Sequence, residues 1–180
     1  MTHNIFIDGA AGTTGLEIRE RLEGRDEFSL IFLDDAQRKD ASARAQAIND
    51  ADVVILCLPD DAAKEAVSLI ANDRTRVIDA STAHRVADGW TYGFPELVGR
   101  EAVATSKRVS NPGCYPTGFL ALVGPLVRAG LIPADWPLAV NAVSGYSGGG
   151  KGMIADYEGE KAAEAPSWMT YGLTLAHKHV

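Results

Sequence analysis

Cys114 sits in "SNPGCYPTG" (Ser110 to Gly118), between a glycine and a tyrosine, with Pro112 and Pro116 two positions away on either side. Pro112 restricts Asn111 to extended backbone, Gly113 permits a sharp reversal, and Pro116 suits an early helical position. The pattern predicts Cys114 at the N-terminus of an apolar helix, "YPTGFLALVGPLVRAG". Backbone N–H groups and the helix dipole there favour a thiolate. Lowering a thiol pKa from about 8.5 to about 7 requires only about 2 kcal/mol, within reach of such a site. Cys114 is therefore a candidate nucleophile. The other cysteine, Cys57 in "VVILCLP", reads as a small buried residue.

A second constellation lies at the start of the chain. Gly9, Gly12 and Gly15 give G-x-x-G-x-x-G directly after the apolar run "HNIFID" and before the helical pattern "LEIRERLEG". Glycines let backbone turn tightly and approach phosphate oxygens, and a helix N-terminus favours negative charge. The loop Gly9, Ala10, Ala11, Gly12, Thr13, Thr14 and Gly15 is thus a candidate pyrophosphate cradle. Asp34 or Asp35, after the second strand, would bind a ribose 2′-hydroxyl and suggest NAD, whereas Arg38 and Lys39 would hold a 2′-phosphate. A nucleophilic cysteine downstream of a dinucleotide-binding half suggests thioester formation coupled to hydride transfer. That chemistry needs a proton donor. Of the four histidines, His3 begins a strand, His84 lies in "STAHR", and His177 and His179 close the chain.

The elements that must position these groups follow from periodicity. "HNIFID", "FSLIFLDD", "ADVVILCLP" and "TRVIDAS" read as strands, the third a near-continuous apolar run of the kind found in parallel sheets covered on both faces. Helical patterns at "LEIRERLEG", "SARAQAIND" and "DDAAKEAVSLIAN" separate them, which spells an α/β fold with a doubly wound, Rossmann-like parallel sheet. "ADGWTYGFPELVG" reads as loop and edge structure, "RVSNPGC" as the end of a short strand, and "PLAVNAVSGYSGGGKG" as a strand running into a glycine-rich loop. "MTYGLTLAHKHV" fits strand or helix equally. A boundary is expected at the cysteine, with a dinucleotide-binding domain over 1–113 and the beginning of a mixed α+β catalytic domain, incomplete, over 114–180.

Composition sets the class. A hydrophobic fraction of 46% with 23% charged residues is that of a soluble globular protein, and a net charge of −7 argues against general affinity for nucleic acid or anionic membrane. The N-terminus lacks the pattern of a secretory signal, so the cytoplasm is the expected location. Two cysteines without paired C-x-x-C or clustered histidines suggest neither a disulfide framework nor a metal site.

"GAAGTTG", "DASTAHR", "SNPGCYPTG", "SGYSGGGKG" and "LAHKH", in that order, resemble N-acetyl-gamma-glutamyl-phosphate reductase of arginine biosynthesis, particularly its shorter subgroup. The resemblance implies reduction of the acyl phosphate N-acetyl-glutamyl 5-phosphate by NADPH to N-acetyl-glutamate 5-semialdehyde, with release of phosphate. It places Cys114 on the family's nucleophile and His177 or His179 on its acid/base. It favours Arg38 or Lys39 at the 2′-phosphate, and Leu58, Pro59 and Ser81 as cofactor-side contacts. The implied substrate side comprises Asn111, Arg85, Ser147, Gly148 and Lys151, with "SGYSGGGKG" presenting N–H groups and a lysine to an anion. A homo-oligomer is expected. The family's members are longer, so activity of these 180 residues alone is a separate question. An aspartate-semialdehyde-type dehydrogenase and a non-catalytic nucleotide-binding fragment are the competing readings; "PGCYPTG" argues against the first.

Overall fold

The structure is a computed structural model that describes residues 2–160, 162–170 and 173. The chain divides into two compact units, Met1–Gly113 and Cys114–Val180.

In the first unit the apolar runs become six strands: β1 (His3–Asp8), β2 (Phe28–Ile31), β3 (Val53–Leu56), β4 (Arg76–Asp79), β5 (Thr91–Tyr92) and β6 (Arg108–Ser110). They form one sheet in the order β2-β1-β3-β4-β6-β5, with all neighbours parallel. Parallel neighbours need crossovers, here α1 (Thr13–Leu22), α2 (Ala41–Asp50) and α3 (Asp60–Ser68), with short α4 (Pro95–Val98) and α5 (Arg100–Thr105) before β6. The first crossover runs from β1 towards β2 and the next returns past β1 to β3. Right-handed crossovers then put α1 on one face and α2 and α3 on the other, a doubly wound sheet.

The core lies on the α2/α3 face. Phe6, Val54, Leu56 and Val77 pack with Ala47 and Ile48 of α2 and Ala63 and Ala66 of α3. Complete burial of each large apolar side chain there stabilises by roughly 1.5–3 kcal/mol. Strand register fixes what else this face carries: Phe6 pairs with Val54 and Asp8 with Leu56, while Leu56 pairs with Asp79. Because side chains alternate, Asp8 and Asp79 share the core face, at the carboxyl ends of their strands. Helices α2 and α3 run back across the sheet, which brings their N-terminal turns to those same ends. Asp40 starts α2 by accepting hydrogen bonds from the Ser42 and Ala43 N–H groups at 2.7 and 3.2 Å.

The second unit contains α6 (Cys114–Arg128), a turn of 3-10 helix at Tyr146–Gly149, and α7 (Gly150–Glu158). The strand expected in "PLAVNAV" does not form: residues 137–145 carry no regular structure. Its valines and alanines suit a strand, but among the described residues no neighbour pairs with them, and a strand needs a ladder partner for its backbone groups. The glycine-rich segment is not an open loop either. It winds into the 3-10 turn and α7, held where Tyr146 stacks on Tyr157 at 4.8 Å and its hydroxyl donates to Glu158 at 2.7 Å. The expectations for "MTYGLTLAHKHV", His177 and His179 included, fall largely outside the described residues.

Candidate active site

The sequence places three glycines between β1 and α1, and the backbone shows why two must be glycine. Gly9 has φ +90, and a Cβ there would collide with the Cys57 carbonyl oxygen; at Gly15 a Cβ would stand 2.5 Å from the Gly9 carbonyl oxygen. The Gly12 N–H donates to that same Gly9 oxygen at 2.9 Å, closing the turn, and Gly12 then caps α1 without offering a side chain. Helix geometry supplies no acceptor to the N–H groups of Thr13, Thr14 and Gly15, which face the approach to the helix end. This loop crowns β1 beside β3, where strand order reverses, the position at which open α/β sheets bind ligands.

The lip after β3 belongs to the same crevice. The Cys57 N–H donates to the Asp8 carbonyl at 2.8 Å, which presses "CLP" against the glycine turn; Leu58 is half-buried and Pro59, exposed, precedes α3. Burial pushes the Cys57 thiol up to about 11, with the Asp8 and Asp79 charges adding to the effect. Cys57 is therefore a protonated wall residue.

After β4 the chain turns on a buried carboxylate. Asp79, fully buried, accepts from the Ser81 N–H and hydroxyl, each at 2.8 Å, and from His84 Nδ1 at 2.6 Å. The Ser81 hydroxyl also accepts from the Ala83 N–H at 3.1 Å, and the His84 ring stacks on Trp90 at 4.1 Å. Asp60, at the start of α3, accepts from the Thr82 N–H at 2.9 Å and from the Thr82 hydroxyl, tying this loop to the β3 lip. Arg85 follows. Its Nε donates to the Asn111 carbonyl at 3.2 Å, and its Nη1 is buried without a hydrogen-bond partner. The Asn111 N–H donates in turn to the Asp79 carbonyl at 2.7 Å. Ser81, Arg85 and Asn111 are thus brought together around Asp79.

Beyond β2, Asp34 folds back on its own turn, accepting from the Ala36 and Gln37 N–H groups at 2.9 and 2.8 Å. Both bonds fall on Oδ1. Arg38, ion-paired with Asp35, and Lys39 stand exposed on the short 3-10 helix that follows.

In the second unit Cys114 is the first residue of α6 and is exposed. It edges an apolar groove of about 460 Å³, lined by Tyr115, Phe119 and Leu122 of α6 and by Val140 and Val143. Ser147 and Gly148 lie in the 3-10 turn and Lys151 in the first turn of α7, all exposed. The sequence pattern assigned no role to Asp8 or Asp79 and gave His84 no structural task. The available signal was an aspartate ending an otherwise apolar strand in "HNIFID" and again in "RVID".

The parallel sheet and its glycine turn define a doubly wound protein of the dinucleotide-binding class. Residues 4–106 match the family described as semialdehyde dehydrogenase, NAD binding domain, and residues 114–180 match semialdehyde dehydrogenase, dimerisation domain. The chain belongs to the semialdehyde dehydrogenase family. Along its whole length it is 60% identical to an N-acetyl-gamma-glutamyl-phosphate reductase of Chelativorans sp. (strain BNC1), of which it covers 58%. It is 59% identical over 98% of the chain to N-acetyl-gamma-glutamyl-phosphate reductase 2 of Pseudomonas putida, covering 57% of that protein. The chain therefore spans somewhat less than three fifths of these curated relatives. Aspartate semialdehyde dehydrogenase II of Vibrio cholerae shares the fold, with a TM-score of 0.60 at 17% identity over 94% of this chain and 55% of that one. Among the described residues no helix is long and apolar enough to cross a membrane.

Proposed function

We propose that the chain carries the dinucleotide site and the nucleophile of an N-acetyl-gamma-glutamyl-phosphate reductase of arginine biosynthesis, acting in the cytoplasm. The observation that carries the reading is Cys114 at the N-terminus of α6, exposed, in a chain whose other unit bears the glycine turn. The 60% identity to a reductase of that name favours it over the aspartate-semialdehyde reading, which rests on a 17% likeness.

The residues divide the work as follows. The α1 N-terminus and the glycine turn receive the dinucleotide pyrophosphate, and Leu58 and Pro59 wall the crevice. NADP is favoured over NAD by Arg38 and Lys39, both exposed on the 3-10 helix after β2, where a 2′-phosphate would meet positive charge. When bound, NADPH supplies the hydride that reduces the thioester. The Cys114 thiolate attacks the acyl carbon; the S–C bond forms, the C–O bond to phosphate breaks, and phosphate leaves. After reduction, the thiohemiacetal releases the semialdehyde and returns the thiolate, with His177 or His179 moving the proton. Arg85, whose Nη1 lacks a partner, and Asn111 suit the departing phosphate or a substrate carboxylate, as do Ser147, Gly148 and Lys151. The dimerisation-domain match, with Leu122 and Leu131 exposed by 74% and 71%, supports a homo-oligomer.

Phosphate-dependent reduction of NADP by N-acetyl-glutamate 5-semialdehyde tests the proposal. Activity is expected in the wild type and loss of at least about a thousandfold in Cys114→Ser. Undiminished activity in the variant would remove the covalent step. NADPH binding without any turnover would leave a nucleotide-binding fragment.

A further inference from the structure

The glycine turn follows directly on a buried carboxylate. Asp8 is 6% exposed, ends β1, and precedes Gly9 in the chain. A carboxylate there opposes the dianionic pyrophosphate that the proposed function brings to the turn.

One cation answers it. Arg44, in the first turns of α2, directs Nη2 and Nε to Asp8 Oδ2 at 2.9 and 3.3 Å, and Nη1 to Glu65 Oε1 of α3 at 3.3 Å. The Arg44 and Asp8 side chains are only 13% and 9% exposed, whereas Glu65 is 56% exposed. Solvent screens the Glu65 contact far more than the Asp8 contact. Arg44 lies one helical turn before Ala47 and Ile48, which are packed in the core, so its stem is held on the face that carries Asp8.

We propose that Arg44 is a positioning residue for dinucleotide binding, acting through Asp8: it cancels the carboxylate beneath the glycine turn so that the turn can accept a pyrophosphate. The inference rests on the dinucleotide reading. It differs from a simple brace between β1, α2 and α3 in the sign of its effects. If the pair is a brace, removing either partner weakens binding. If charge balance matters, removing the carboxylate strengthens it.

The test uses the 180-residue chain, titrated with NADPH by nicotinamide fluorescence and with inorganic pyrophosphate as competitor, alongside a melting curve for each variant. At an effective dielectric near 20, an uncovered unit charge acting on one negative charge over a separation on the order of 10 Å changes affinity by about tenfold. Arg44→Met should therefore weaken both probes by at least about tenfold at low salt, with the loss shrinking as ionic strength rises. Arg44→Lys should stay within about threefold of wild type. Asp8→Asn should bind more tightly than wild type, and Asp8→Asn with Arg44→Met should return close to it. Should Arg44→Met fail to fold, Asp8→Asn and Arg44→Lys decide alone. Equal weakening by Asp8→Asn and Arg44→Met, or wild-type binding by Arg44→Met, overturns the proposal while leaving the dinucleotide site intact. Failure of the wild type to bind either probe overturns both.

Discussion

The two thiols illustrate how environment, rather than residue type, assigns a task. Cys57 is pushed up to a pKa of about 11 by burial first and by two neighbouring carboxylates, while Cys114 is exposed at a helix start. Alkylation followed by peptide mapping should modify Cys114 at neutral pH and reach Cys57 in the native protein only as pH approaches about 11. Fast labelling of Cys57 at neutral pH would contradict its assignment to the wall. Linkage gives the same group a stability signature. Its folded pKa is raised, so its contribution is complete below about pH 9 and is lost as pH rises towards 11. At about 1.4 kcal/mol per unit, wild type should lose roughly 2–3 kcal/mol relative to Cys57→Ala over that interval in urea titrations. Equal pH dependence in the two proteins would show that the thiol ionises without cost. The roles of Asp79 and His84 were harder to read from sequence. Nothing in "DASTAHR" reveals that its first residue is fully buried and gathers the Ser81 and His84 side chains about itself, because that depends on which strand face the core covers.

At the scale of elements, the strand–turn–helix that opens the chain owes its shape to close backbone approach. Gly9→Ala combines a positive φ with a collision against the Cys57 carbonyl, and the obstacle is main chain, which cannot step aside as a side chain can. Destabilisation of about 3–4 kcal/mol is expected, with loss of NADPH binding. Gly24 is the control: it has φ +76, but nothing lies within 4 Å of its Cβ position, so Gly24→Ala should cost only about 1–2 kcal/mol. Chemical denaturation of the two variants checks the contrast, and equal costs would mean that φ alone, not the approach to β3, requires glycine at position 9. This element was legible because its signals are local: an apolar run, three glycines, then helical spacing. β1, β3 and β4 were legible for the same reason, as short apolar runs bounded by turn residues, although β4 buries only the face carrying Val77 and Asp79 and leaves Ile78 exposed. The failure at "PLAVNAV" has the converse cause. β-branched residues favour a pleated surface only when a neighbouring strand completes it, and no local pattern announces that neighbour. The Asp8–Arg44 pair escaped notice similarly, since it joins residues brought together only by the crossover from β2 to β3.

Across the whole molecule, burial is distributed unequally. Every buried apolar side chain among the described residues falls between Ile5 and Val77, inside the first unit, whereas α6 and α7 bury none. A helix of 15 residues is marginal in water without a packed face, and one of nine is less than that. Amides of β1, β3 and β4 should consequently exchange only through global opening, while those of α6 and α7 exchange through local opening at small free energy. Hydrogen exchange followed by mass spectrometry on this chain should show protection in β3 exceeding that in α6 by at least about a hundredfold. Dilution separates the two sources of any protection found in α6. Protection that falls on dilution would arise from association between copies through exposed residues such as Leu122 and Leu131. Protection equal to that of β3 and independent of concentration would mean that the second unit has a cohesive core of its own, and the assignment of stability to the first unit would be wrong.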